Sequence, residues 1–204
     1  LLAEHPGISC RVQVGDWMRV TRDVIWGEID VGVADVGDAA GHPELRVELL
    51  CTRPLYFLCR PGHRLVSRKR LAVADLAEYA WASTRAPSRM RDFLPDSPGR
   101  AGSWDSQSGD FIPAIETDVM TDFSVLARES DALVLAALTM VAAELETGQV
   151  VVLPFAAPWF RFNYGFILRR ERTLPPAAEV FMDLVREFEA ELAAREDELR
   201  ERFL

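Results

Sequence analysis

The chain has 204 residues, 49% hydrophobic and 27% charged, which is enough apolar matter for a sizeable core and argues against disorder. Lys and Arg number 23 against 32 Asp and Glu, a net charge of −9 that makes the chain a poor clamp for nucleic-acid phosphates. The longest nearly apolar run, residues 132–143, is too short to span a bilayer, and no basic-then-apolar opening signals secretion, so a cytoplasmic chain without a membrane contact is expected.

Strand and helix patterns alternate along the chain. Ser9 to Val14 alternates polar and apolar and reads as a strand. Trp17, Val20, Thr21, Val24 and Ile25 then share one helical face, with Asp16 as N-cap and Gly27 as stop. Ile29 to Val36 reads as a buried strand of the parallel type, which completes a β-α-β unit. Strands follow at Leu45–Leu50 and Leu55–Arg60, then the turn Pro61-Gly62-His63, a short helix over Ala74–Ala80 and a strand over Ala80–Ser83. Residues 84–110 look like loop with one helical turn near Met90–Phe93. A strand over Ala114–Val119 leads to a helix reaching about Glu129, capped by Asp118 or Thr121, with Met120, Phe123 and Ala127 on its inner side. Ala132–Ala137 reads as buried strand, Met140–Glu146 as a helix stopped at Gly148, Val150–Leu153 and Phe162–Leu168 as strands, and Pro154 and Pro158 mark a crossing segment. From Pro175 the chain is helical, with an apolar stripe of Phe181, Leu184, Val185, Phe188 and Leu192. Past Leu192 the stripe thins, and Glu191/Arg195, Glu196/Arg200 and Glu198/Arg202 suggest a solvated, ion-paired end.

Cys10, Cys51 and Cys59 form no CxxC and read as small buried hydrophobes. His5, His42 and His63 lie apart in turn-like sequence, so neither a metal nor a histidine base is expected. The run Arg60 to Arg70 reads as a solvated turn, and Trp26, Trp159 and Phe160 as packing or subunit contacts. Trp104 suits a lid or a surface anchor equally. The chain has no G-x-S-x-G, P-loop, GxGxxG or HExxH, so neither an enzyme nor a cofactor is expected. The fold class is α/β, with two Rossmann-like lobes, mainly parallel sheets and a ligand cleft between them.

The ordered set HPGI (5–8), GEIDVGVAD (27–35), ELLCTRPLYFLCRPGHRL (48–65), LAVADLAEYAWAS (71–83), ESDALVLAA (129–137), ELETGQVVVLP (144–154) and LRRERTLPPAAEVFMDLVREFE (168–189) resembles the effector-binding domain of LysR-type transcriptional regulators. That resemblance implies a type 2 periplasmic-binding-protein-like fold, with lobe I at 1–71 plus 159–204 and lobe II at 72–158. It further implies a small-molecule effector, a homodimer that becomes a tetramer in the full-length protein, and DNA contact only through an N-terminal helix-turn-helix absent from this chain. A transport-type solute-binding protein is the alternative on the same fold.

By the same resemblance the effector-binding residues are Gly15, Asp16 and Trp17, Asp35, Ser83, Thr84 and Arg85, and Asp118, Val119 and Thr121. Many family members place Ser or Thr at the first helix start, where this chain has Asp16 and Trp17. A capping Asp16 would consume amides and repel an anion, which favours a neutral, aromatic or cationic ligand. Arg85 and Arg89 could instead grip a carboxylate. The sequence leaves these two open, and the expected effector is a small polar or aromatic metabolite.

Overall fold

A computed structural model describes residues 1–155, 157 and 159–204, with Met120 described by its backbone alone. Pro158 as a marker of the crossing segment, and the inward side chain of Met120, lie outside the described residues. In chain order the elements are α1 (Trp17–Trp26), β1 (Gly32–Asp35), β2 (Leu45–Pro54), β3 (Tyr56–Cys59), α2 (Val73–Leu76), β4 (Trp81–Ser83), β5 (Gly102–Trp104), β6 (Phe111–Pro113), β7 (Ile115–Glu116), α3 (Met120–Glu129), β8 (Leu133–Ala136), α4 (Ala142–Glu146), β9 (Val151–Val152), β10 (Arg161–Arg169) and α5 (Pro176–Phe203). No helix among the described residues is long and apolar enough to cross a membrane.

The chain divides into two compact units. The first holds Leu1–Arg53 and Phe162–Ala194. Its sheet has the order β1-β10-β2, with β1 antiparallel to β10. Val24, Val36, Leu45 and Ile167 form one apolar cluster, and Phe166, Leu168 and Met182 another. Gly165 sits so close to the Glu48 carbonyl that a Cβ would approach it to 2.3 Å, so glycine is required where β10 passes β2. Arg53 and Glu189 form an ion pair with side chains only 13% and 10% exposed, and Arg53 Nη1 also donates to the Leu192 carbonyl at 3.4 Å.

The second unit holds Pro54–Arg161 and Arg195–Leu204. Its main sheet has the order β7-β4-β8-β3-β9, and β5 pairs with β6 separately. β4 runs parallel to β7 and β8, whereas β3 is antiparallel to β8 and β9. The core gathers Leu58, Phe123, Val134, Leu138, Val141, Leu145 and Leu199. All four residues of β8 are buried, so it reads as a continuous apolar run instead of an alternating one.

The fold departs from several of the sequence expectations. Ser9–Val14 forms no regular element and pairs with no strand among the described residues. Its alternation is real, yet Val12 is 80% and Val14 67% exposed, so nothing covers the apolar face and no β-α-β unit closes around α1. The sheets are mixed where mainly parallel ladders were expected, because β3, β9 and β10 reverse direction against their neighbours. Residues 84–110 contain β5, and β6 begins just beyond; Asp105 closes the turn between them by accepting from the amides of Gln107 and Ser108 at 2.8 and 3.1 Å. Residues 54–71 and 195–204 belong to the second unit. The register of β3 on β8 and the burial of Leu199 account for that. Of the cysteines, only Cys59 is buried; Cys51 is partly buried and Cys10 exposed. Burial pushes the Cys59 thiol up to about 12, and burial followed by the neighbouring Glu189 pushes Cys51 up to about 11.

The end of α5 also differs from a solvated, ion-paired helix. Glu196 is 4% exposed, and its carboxylate accepts from the amides of Leu138 and Thr139 at 3.2 and 3.1 Å. Arg195 pairs with Glu198 and Glu146, and Arg200 with Asp197, in place of the expected i, i+4 partners. Three-residue spacing and a partner on α4 supply shorter reach than the ladder assumed.

Candidate functional site

In the first unit, the start of α1 is built as the sequence suggests. Asp16 lies in extended backbone, and its Oδ1 accepts from the Arg19 amide at 2.7 Å. Gly27 closes the helix in the left-handed region at φ 73°, where a side chain would be strained. An aspartate cap satisfies one of the orphan amides and places negative charge where an anion would otherwise bind. Asp16→Ala should therefore cost about 1 kcal/mol of stability, checked by urea unfolding, while Asp16→Asn should be nearly silent because asparagine caps equally well. Trp17, next to the cap, has a buried indole Nε1–H with no acceptor among the described residues. Gly15 carries the Arg19 side chain against it. Asp35 ends β1 buried, and its two oxygens accept from the amides of Gly37 and Asn163 at 2.9 and 3.1 Å. It holds the turn after β1 and the neighbouring β10 in place.

In the second unit, Ser83, Thr84 and Arg85 follow the carboxyl end of β4, and Thr117, Asp118 and Val119 follow that of β7. The two segments are tied together by the Thr117 amide donating to the Ser83 carbonyl at 3.2 Å. Neither Asp118 nor Thr121 caps α3: Val119 holds the cap position without a side-chain bond. The Thr117 hydroxyl takes up the cap's work, accepting from the Val119 amide at 3.1 Å and donating to Asp122 at 3.2 Å. Ser83 and Thr84 border a narrow crevice lined by Trp81, Leu94, Phe111, Leu135 and Phe160. Its wall is aromatic: Trp81 meets Phe57 edge-on at 4.8 Å, and Phe111 at 5.6 Å.

Arg85 is held by two carboxylates, with Nε to Glu116 at 3.1 Å and Nη1 to Asp105 at 3.2 Å. The hydrogen bond that Arg85 donates to Glu116, ahead of the opposing effect of burial, raises the guanidinium further above its ordinary value. Asp105 lies below the usual carboxylate range, first because the Ser108 and Gln107 amides stabilise its charge and then because of Arg85. One cation between two acids leaves this corner negative. Sequence reasoning found Arg85 but missed Glu116, Asp105 and Thr117, because their partnership depends on β7 and the β5–β6 hairpin lying beside β4. Trp104 is an anchor within that hairpin's neighbourhood: its indole N–H donates to the Pro95 carbonyl at 3.1 Å, and Arg91 lies over its ring. Trp159 stacks on Phe93 at 5.1 Å, and Phe160 is buried. Trp26 is 65% exposed under Arg22.

Comparison with known proteins agrees with this architecture. The chain is 34% identical over 185 residues to the SDS degradation transcriptional activation protein of a Pseudomonas species, covering 89% of this chain and 58% of that one. It thus spans somewhat over half the length of that relative. Among solved structures, the regulatory domain of MetR from Neisseria meningitidis superposes with a TM-score of 0.64 at 16% identity, over 91% of this chain and 82% of that one. The effector domain of AmpR from Pseudomonas aeruginosa gives 0.60 at 21% identity, over 95% and 86%. LysG from Corynebacterium glutamicum, solved with its effector Arg bound, gives 0.62 at 16% identity, over 93% and 61%. These likenesses carry the type 2 periplasmic-binding-protein-like fold. The family model of the LysR substrate binding domain matches residues 1–190, and the chain belongs to that family.

Proposed function

We propose that the chain is the ligand-sensing part of a LysR-type regulator and binds a small neutral, aromatic or cationic metabolite without changing it. Two features support the class of ligand: Asp16 occupies its own helix start, and Trp17 offers an unused indole donor. The observation that carries the reading is Arg85, whose charge is already met by Glu116 and Asp105. An incoming carboxylate would have to displace one acid and approach the other. In this reading Gly15, Asp16, Trp17 and Asp35 are the candidate residues of the first unit. Ser83, Thr84, Arg85 and the turn through Asp118, Val119 and Thr121 are the second unit's.

The whole protein then acts as a cytoplasmic transcription regulator, a homodimer assembling to a tetramer. It meets DNA through a helix-turn-helix N-terminal to this domain. Effector binding favours one of two arrangements by differential affinity, and the oligomer's geometry conveys the choice. A thermal-shift panel of aromatic, amine and dicarboxylate metabolites tests the ligand class. A ligand at 100 times its dissociation constant should stabilise by about 2.7 kcal/mol, roughly 5–11 °C for a chain of this size. The expected hits are neutral, aromatic or cationic. Stabilisation only by dicarboxylates, lost in Arg85→Ala, would overturn the assignment.

A further inference from the structure

The parallel strands of the second unit have two ends, and the residues discussed so far lie at one of them. At the opposite, amino ends of β4, β7 and β8 is an open pocket of about 260 Å³, lined by Tyr79, Arg100, Ile115, Ser130 and Asp131 among others. Its floor is apolar, from Tyr79 and Ile115, and its rim is charged. Asp131 is already engaged, because Arg60 places both Nε and Nη2 on its Oδ1 at 3.0 and 2.7 Å. Arg100 has its amide bonded to the Ala77 carbonyl, whereas no acidic side chain pairs with its exposed guanidinium among the described residues. Ser130 is also committed, donating to the Leu126 carbonyl at 2.6 Å.

Behind the Tyr79 wall lies His63, 3% exposed, with its ring 4.4 Å from that of Tyr79. His63 Nδ1 accepts from the Leu65 amide at 3.2 Å, which leaves the ring's hydrogen on Nε2, within reach of the Asp131 backbone. The pocket therefore combines a spare guanidinium, a neutralised acid and an aromatic wall. The volume falls just below the roughly 300–1,000 Å³ of drug-sized sites and so suits a compact molecule.

We propose that this pocket is a second small-molecule site, separate from Ser83–Arg85, for a compact aromatic monocarboxylate whose carboxylate meets Arg100 and whose ring lies on Tyr79 and Ile115. A guanidinium with no internal partner binds carboxylate in bidentate fashion without first breaking an ion pair, in contrast to Arg85.

Phenylacetate is the probe, with phenethylamine as the same ring bearing the opposite charge. In amide NMR of the whole chain, phenylacetate should move the resonances of Tyr79, Ala80, Ser130 and Ala132 saturably, and phenethylamine should not. Arg100→Gln, which keeps the side chain's length and polarity, should weaken phenylacetate about tenfold. Arg100→Ala should weaken it at least as much. Arg11→Ala, on the exposed segment of the other unit, should leave it unchanged and controls for general loss of positive charge. Equal affinity in the Arg100 variants, absence of saturable shifts at these residues, or the same shifts with phenethylamine would overturn the proposal.

Discussion

Arg53→Met should lower the stability of the domain by about 3–5 kcal/mol, the cost of leaving one member of a buried ion pair without its partner. Arg53 and Glu189 join the end of β2 to the middle of α5, and Arg53 Nε lies 3.1 Å from the Glu189 carboxylate. The same guanidinium also donates to the Leu192 carbonyl, but its removal leaves chiefly the Glu189 charge without a partner. The melting temperature should fall by roughly 6–20 °C in a chain of this length. Arg53→Met combined with Glu189→Leu should recover most of that loss, since an apolar pair of similar volume removes the desolvation penalty as well as the attraction. The two singles and the double form a thermodynamic cycle, read by thermal or urea unfolding. A double variant as unstable as the sum of the singles would show that packing, and not charge, holds α5 here.

Glu196→Ala should cost about 3 kcal/mol, or roughly 6–12 °C, because two amides lose a charged acceptor inside the second unit. Leu138 is fully buried, and water does not replace the lost bond at its amide without opening the core. Glu196→Gln retains one acceptor oxygen and should lose about half as much. Measured melting temperatures within a degree of the parent for both variants would mean that the segment after β8 is held by Leu138 and Val141 alone.

These two carboxylates also mark where sequence reading ends. α1 was legible to the residue, because its cap, its stripe and its stop are all local: Asp16 and Gly27 act within a few positions of their own backbone. The buried strand β8 was legible for the same kind of reason, an unbroken apolar run followed by a turn. Glu196 was not. It sits among exposed charges at favourable helical spacing, and its true partners, Leu138 and Thr139, are 58 and 57 residues away. Ser9–Val14 failed in the reverse sense: the alternation was present, but a ladder needs a neighbour, and nothing local says whether one exists. At the candidate site, the cap on α1 could be read from residue type and order, whereas Arg85 entered only through the family resemblance. The two acids that neutralise Arg85 could not be read, since Asp105 and Glu116 reach it only after the β5–β6 hairpin and β7 have found β4.

Trp17 of the first unit and Ser83–Thr84 of the second are proposed to meet a ligand that is bound and released unchanged. The most direct measurement is heteronuclear NMR of the chain titrated with the best stabilising compound from the panel. The Trp17 indole N–H resonance should shift downfield as its donor gains an acceptor, the Ser83 and Thr84 amides should move with the same affinity, and the ligand's own spectrum should be recovered intact after overnight incubation. Tight binding that leaves the Trp17 indole, Ser83 and Thr84 unmoved, or a ligand converted to another compound, would contradict it.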